Sequence, residues 1–506
     1  MCYPPHVHKL PNELLAKVFV SFAPDSPDWY WQSLQPIISL DLLGIIMLVC
    51  RHWREVALST VDLWRVMDIG ARSFTASDGN SPAYLERVER AARYFDLILP
   101  RTAEAPLEIR FGDAEVAAYI LPNILATLAY RLHQVVVELP RGASQFPDLI
   151  RLLADTKFLI LDELRVESNH SRKGHPPIED RVHCLNPALT LKRFPALRTL
   201  FQESVVIYET SVPLLSRITN LYLDSCSFNF DSPQPLNRFI EVLGGCKNLM
   251  ELRLLEVLTS HNLPPKGSAP RVAKLEKLIS LYLSEELEYA SWFMCSISIN
   301  NSANLNITGL VYEFEPYADM DLFASLYPAS MAAHLKTVTY GNIGTSNGDA
   351  LEGMTAGIPN AYFSLGGGEF GVHPTLEFSL RAFSRIFAGA PITKVSITGA
   401  EFGDLSRGSD SQIWVNFFSQ FPDIKELELG YCKGSLVGLF AALGLPLQTQ
   451  ADCDSQASMP VYPMLESITA TGPGLEWETS GMVESFAAML RRRSALGLPK
   501  WKRLDF

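Results

Sequence analysis

One short phrase returns along this chain and limits what the chain can fold into. Its form is apolar-x-x-apolar-x-apolar, often with a cysteine or asparagine three residues on. LDELRVESN (161–169), ITNLYLDSC (218–226) and IKELELGYC (424–432) are complete copies. LMELRLLEV (249–257) and LISLYLSEE (278–286) lack only the final polar residue. Weaker copies begin at 132, 197, 307, 335, 392 and 465, and WKRLDF (501–506) repeats the start of the phrase. The copies at 249, 278, 307 and 335 start 28 or 29 residues apart. The step from 335 to 392 is twice as long, and YFSLGGGEF (362–370) sits where the missing copy belongs. Alternating apolar positions over so short a run make a half-buried strand. Segments between the phrases, such as PLNRFIEVLGGCKNLM (235–250) and SQIWVNFFSQFPDI (411–424), have helical spacing. A unit of this size cannot bury its apolar face alone, whereas stacked units bury a continuous ridge. A chain of 506 residues can then grow by adding units instead of enlarging one core. The cysteine or asparagine at a strand's end can hydrogen-bond the turn backbone. The rival reading is an unrelated α/β fold with several such strands.

The first seventy residues follow another pattern. LPNE (10–13) reads as a helix start, with proline in the first turn and Glu13 at the positive end of the helix dipole. Leu14, Leu15, Val18 and Phe19 then recur at helical spacing. FAPDSPDWYWQSLQP (22–36) is proline-rich and reads as a loop with an aromatic cluster. IISLDLLGIIMLVC (37–50) is the longest apolar run, too short for a bilayer and interrupted by Asp41. In LVCRHWREVALSTVDLWRV (48–66), Val49, Trp53, Val56 and Ala57 fall on one helix face, with Arg51, Arg54 and Glu55 elsewhere. LST ends that helix, and Leu63 and Trp64 fold back onto it. Helices this short have little core of their own. Part of their apolar surface is therefore expected to meet something else.

LPNELLAKVF followed by LVCRHWREVALSTVDLWRV resembles the F-box, in the F-box-like form abundant in fungi, over Leu10 to about Met67. LPxELL, VCRxWRxVAxS and LW occur in the family's order; the stretch from Phe22 to Pro36 is a long insertion. The resemblance implies docking to a Skp-type adaptor, and through it to a cullin. The matching positions are Leu10, Pro11, Leu14, Leu15, Val18, Val49, Cys50, Trp53, Val56 and Trp64. A helical hairpin with an uncovered apolar face is also a helix-docking surface on physical grounds. The alternative is that these helices only cap a larger domain. The recurring phrase resembles the irregular leucine-rich repeats of F-box proteins, whose length range includes this spacing. In such a solenoid the residue between the last two apolar positions faces the concave side. That implies a substrate-binding display of Tyr222, Arg253, Tyr282, Thr339, Ser396 and Glu428. Tyrosine and arginine are common binding anchors. SEELEYASWF (284–293) reads as a solvated helix start over a core, or as an acidic, aromatic rim.

Patterns of catalysis and of ligand binding are not found. GGGEF (366–370) lacks the GK[ST] that holds phosphate and reads as a tight turn. His6 and His8 have no nearby partners to complete a zinc site. No G-x-S-x-G elbow or HExxH occurs. RRR (491–493) reads as the solvated end of the helix GMVESFAAMLRRR. The eight cysteines form no CxxC pair and read as reduced packing residues of an intracellular protein. MCYPPHVHKLPNELL has no apolar signal core. A net charge of −12 disfavours nucleic acid and anionic membrane as partners.

The sequence thus predicts an α/β chain. A small all-helical F-box is expected over 1–70, a linker or capping helix over 71–105, and an irregular leucine-rich-repeat solenoid of parallel strands alternating with helices over 106–506. The expected function is a non-enzymatic substrate receptor of a Skp–cullin–F-box ubiquitin ligase, cytoplasmic or nuclear. It is expected to have no catalytic residue, cofactor, metal, nucleic acid or membrane partner, and to bind a protein substrate. The rival is a non-degradative interaction module that has lost or repurposed its F-box. Residues 441–463 read as a loop inserted in the array.

Overall fold

The computed structural model describes residues 10–21, 40–69, 82–111, 114–140, 151–153, 155–169, 189–203, 205–259, 261–264, 272–300, 302–311, 338–344, 349–355, 358–367, 376–398, 401–402, 410–430, 433–434, 436–444, 465–471, 480–495 and 503–505. The proline-rich stretch 22–36, His6, His8, the end of GGGEF and nearly all of 441–463 lie outside the described residues. The chain divides into two compact units, Met1–Asp231 and Ser232–Phe506.

The first unit begins with α1 (Asn12–Ser21), α2 (Leu40–Val49) and α3 (Arg51–Ser59). Helix α3 packs against both α1 and α2. The Pro11 carbonyl accepts the N–H groups of Leu14 and Leu15 and so opens α1. Cys50 divides α2 from α3. Its backbone is extended (φ −164°, ψ 170°), and its sulfur accepts the Trp53 N–H at 3.4 Å as an N-cap. The expected single face through Val49, Trp53, Val56 and Ala57 is therefore split between two helices. Val49 ends α2 and is exposed, whereas Val56 and Ala57 are buried. The last carbonyls of α3 are satisfied by side chains. Thr60 Oγ1 donates to the Val56 carbonyl at 2.7 Å, and Trp64 Nε1 donates to the Ala57 carbonyl at 2.9 Å. The second bond folds Trp64 back onto α3.

Among the described residues, eight strands follow in this unit: β1 (Val66–Ile69), β2 (Leu107–Phe111), β3 (Leu132–Pro140), β4 (Glu163–Asn169), β5 (Thr199–Glu203), β6 (Val206–Tyr208), β7 (Asn220–Asp224) and β8 (Ser227–Asn229). The order β1-β2-β3-β4-β5-β7 is parallel throughout, and β6 pairs separately with β8. The helix expected as a linker, α4 (Pro82–Ile98), is instead a crossover between the parallel neighbours β1 and β2. The boundary drawn at residue 70 therefore falls inside a β-α-β unit. Strand β1 is only four residues long (VMDI), too short for alternation to show. Helix α5 (Ala114–Leu128) makes the next crossover. Inward residues such as Ile109, Val135, Leu164, Leu200 and Leu221 are buried. At Cys226 the phrase closes on a backbone group of the neighbouring strand and not of the turn. The buried thiol donates to the Gln202 carbonyl at 3.2 Å, and burial pushes it up to about 12, which makes it a packing group and not a nucleophile.

The second unit has β9 (Glu251–Leu255), β10 (Ala273–Leu275), β11 (Ser280–Glu286), β12 (Ile297–Ile299), β13 (Asn304–Val311), β14 (Tyr340–Gly344), β15 (Asp349–Thr355), β16 (Ile358–Gly367), β17 (Lys394–Thr398), β18 (Glu401–Phe402), β19 (Glu426–Gly430), β20 (Lys433–Gly434), β21 (Ser467–Thr471) and β22 (Arg503–Asp505). The main order is β9-β11-β13-β16-β15-β14-β17-β19-β21-β22. Strictly parallel stacking is broken once. Strand β15 runs antiparallel to β14 and β16, so β16 and not β14 lies beside β13. The missing copy at 362–370 is thus present, but ahead of its turn. The phrase starting at 307 was also out of register. Leu281 lies opposite Leu305, so the strand begins at Asn304, after a turn in which Asn300 accepts the Ala303 N–H. RRR is not wholly solvated either. Arg493 shares the inner face of its helix with Met482 and Met489, is 4% exposed, and donates to the Leu465 carbonyl at 3.2 Å.

Candidate functional site

Two surfaces concentrate unusual side chains. The first is on α1 and α2. Leu10 (36% exposed), Leu14 (48%), Val18 (39%), Ile45 (59%), Leu48 (78%) and Val49 (52%) are large apolar residues left open to solvent. They are six of the sixteen such residues among those described, all between residues 10 and 49. The opposite sides of the same helices supply Leu15, Phe19, Leu43 and Ile46 to the core. Leu10, Leu14 and Val18 are four residues apart, one stripe along α1 and its lead-in.

The positions matched by resemblance divide here. Leu10, Pro11, Leu14, Val18 and Val49 are exposed; Cys50 and Trp53 are half-buried; Leu15, Val56 and Trp64 are buried. The last three build the hairpin and present no surface. The Trp64 ring lies under the Arg101 guanidinium at 5.2 Å, and the Trp53 ring sits 5.0 Å from Phe19. Ile45 and Leu48 share this open surface and were not among the matched positions. Their signal was present in the longest apolar run: a helix apolar on every side has one side in the core and another that needs a cover.

The second surface is the face of each sheet opposite the buried leucines. In the second unit, register places Arg253, Tyr282, Asn306 and Tyr362 in one row. The row continues through Glu352, Asn342, Ser396, Glu428 and Thr469. In the first unit Arg165, Phe201 and Tyr222 occupy the corresponding row. The Arg165 guanidinium is 5.2 Å from the Phe201 ring, which is 6.0 Å from Tyr222. Arg253 lies 5.8 Å from the Tyr282 ring. Lys394 bonds Glu428 at 2.6 Å and lies 5.4 Å from the Tyr340 ring; the bond to Glu428 holds its ammonium above the usual lysine range. Thr339 is outside the row, ahead of β14, and Asn342 takes its place. Gly341 explains the slip. It occupies an inward position, but Phe383 fills the space where a side chain would stand. With no apolar residue there, the phrase is invisible and V-T-Y was read instead.

Behind this face lies a buried carboxyl. Glu285 on β11 accepts the Val257 N–H at 2.7 Å and the Leu258 N–H at 3.1 Å. Burial pushes it up to about 8, against the opposing pull of those backbone bonds. It clamps the turn after β9, where Glu256 has φ 48°. SEELEYASWF therefore contributes more to the interior than to a rim. Among the described residues, no group of histidine, cysteine and carboxylate side chains could hold a metal ion. No described helix is long and apolar enough to cross a membrane.

No curated protein matches the chain. A family model described as F-box-like matches residues 7–69, from just before α1 to the end of β1. The three helices, their exposed stripe and the first strand of the sheet are an F-box-like domain.

Proposed function

We propose that this chain is a substrate receptor of a Skp–cullin–F-box ubiquitin ligase. The observation that supports this most is the open apolar surface of Leu10, Leu14, Val18, Ile45, Leu48 and Val49 within the F-box-like domain. F-box domains typically bind Skp-type adaptors, and an exposed patch of this kind marks a protein interface. In this reading the adaptor's apolar helices cover the stripe. Each row, that through Tyr222 in the first unit and that through Arg253 and Tyr282 in the second, is by itself a candidate surface for a protein substrate, because its aromatic and guanidinium side chains are the usual energetic centres of an interface. The chain performs no bond chemistry and acts by proximity, with its substrate held near a ubiquitin-loaded enzyme.

The test is a comparison of ubiquitin-modified proteins in cells that carry the wild-type chain or the Leu48→Asp variant. The proposal expects a set of proteins whose modification requires the chain and is lost with the variant. Identical profiles would sink the degradative reading and favour an interaction module without ligase function.

A further inference from the structure

The second unit has a feature on its helical layer that the F-box reading does not use. Helices Leu376–Ile386 and Asp410–Gln420 pack side by side. Their inner faces meet in an aromatic cluster, with Phe383 4.5 Å from Phe387, 5.9 Å from Phe417 and 5.5 Å from Phe421. Over this cluster lies a cavity of about 250 Å³. Its floor includes Ile413 and Phe417, and its walls include Arg381, Arg385, Ser384 and Gln420.

The lining is rich in donors and contains no carboxylate. Arg381 and Arg385 are one turn apart, so both side chains rise over the same side of their helix. Glu377 pairs with Arg381 from the preceding turn. A guanidinium has five N–H donors, more than one carboxylate can take. Ser384 is 5% exposed and lines the cavity. Such an arginine-walled, apolar-floored space is complementary to an anion joined to an apolar group.

We propose that this groove docks an acidic peptide segment of a protein partner. A glutamate or aspartate carboxylate lies against Arg381 and Arg385 and reaches the Ser384 hydroxyl. A neighbouring apolar side chain of the peptide rests on Ile413 and Phe417. Planar guanidinium forks suit a planar carboxylate. The assignment is independent of adaptor binding.

Fluorescence anisotropy with the full chain and a labelled Gly-Glu-Glu-Leu-Glu-Phe-Gly peptide tests it. The result expected is saturable binding that weakens with salt, at least tenfold weaker for Arg381→Glu/Arg385→Glu and for a peptide with glutamine in place of glutamate. Arg385→Gln, a milder change, is expected to weaken binding by a smaller factor. Circular dichroism and the melting temperature establish that each variant is folded. Absence of saturable binding at millimolar peptide, equal binding by the folded double variant, or equal binding of the glutamine peptide overturns the proposal. So does binding of a phosphoserine peptide alone, which would make phosphate the ligand.

Discussion

Glu285 shows what a single residue contributes and how to measure it. Its carboxyl holds two backbone N–H groups of the preceding turn inside the second unit. In the folded chain it keeps its proton up to about pH 8, whereas a free glutamate loses it near 4.5. Between those values the folded state binds more protons than the unfolded state. Stability therefore falls as pH rises through that window. We expect the melting temperature of the wild type to decline more steeply across the window than that of Glu285→Gln, which keeps an acceptor and cannot ionise. Parallel curves would contradict the assignment. Cys50 offers a second residue-scale prediction. Sulfur is a weak acceptor at an N-cap, and serine is among the preferred caps. Cys50→Ser is expected to raise stability to chemical denaturation by about 0.5 kcal/mol, and a loss would refute the cap role. The thiol of Cys226 was legible as a backbone-binding group because its place in the phrase repeats, although its partner Gln202 lies on the neighbouring strand and not in the turn. The role of Glu285 was not, because it sits one position before the expected polar residue.

At the scale of elements, one glycine and two leucine positions separate packing from surface. Gly341 on β14 touches the Phe383 ring of helix Leu376–Ile386, so any side chain there must displace it. Gly341→Val is expected to cost about 1–3 kcal/mol by overpacking. Phe383→Leu in the same chain should recover part of that loss, and a double variant no more stable than Gly341→Val would count against the contact. On α1, Leu14 is 48% exposed and Leu15 is 1% exposed. Leu14→Asp should leave helix content and melting temperature unchanged, whereas Leu15→Asp places an unpaired charge in the core and should unfold the helices. Strands with leucine at both inward positions were legible: β7, β9, β11 and β19 lie on their phrases. Strands β13 and β14 were misplaced by a few residues. In β13 an apolar triplet five residues later imitates the phrase, and in β14 the inward residue is glycine. The antiparallel β15 was invisible, since nothing in its sequence DALEGMT distinguishes its direction.

At the scale of the whole molecule, the F-box-like domain was legible because its residues occur in a fixed order, and it leads directly into a sheet. Strand β1 pairs with β2 in the first unit, so the helices are part of that unit and not a module on a linker. What resemblance alone could not do was divide the matched positions into buried and exposed. That required the break at Cys50, which turns Val49 outward and leaves Val56 in the core. We propose that the exposed stripe, and not the buried tryptophan, binds the adaptor. The direct measurement is titration calorimetry of the full chain with a purified Skp-type adaptor, for wild type, Leu14→Asp/Leu48→Asp and Arg253→Ala/Tyr282→Ala. Tight binding by wild type, loss by the folded stripe variant, and unchanged binding by the sheet-face variant are expected. Equal affinity for the stripe variant, or no binding by wild type, would contradict the proposal.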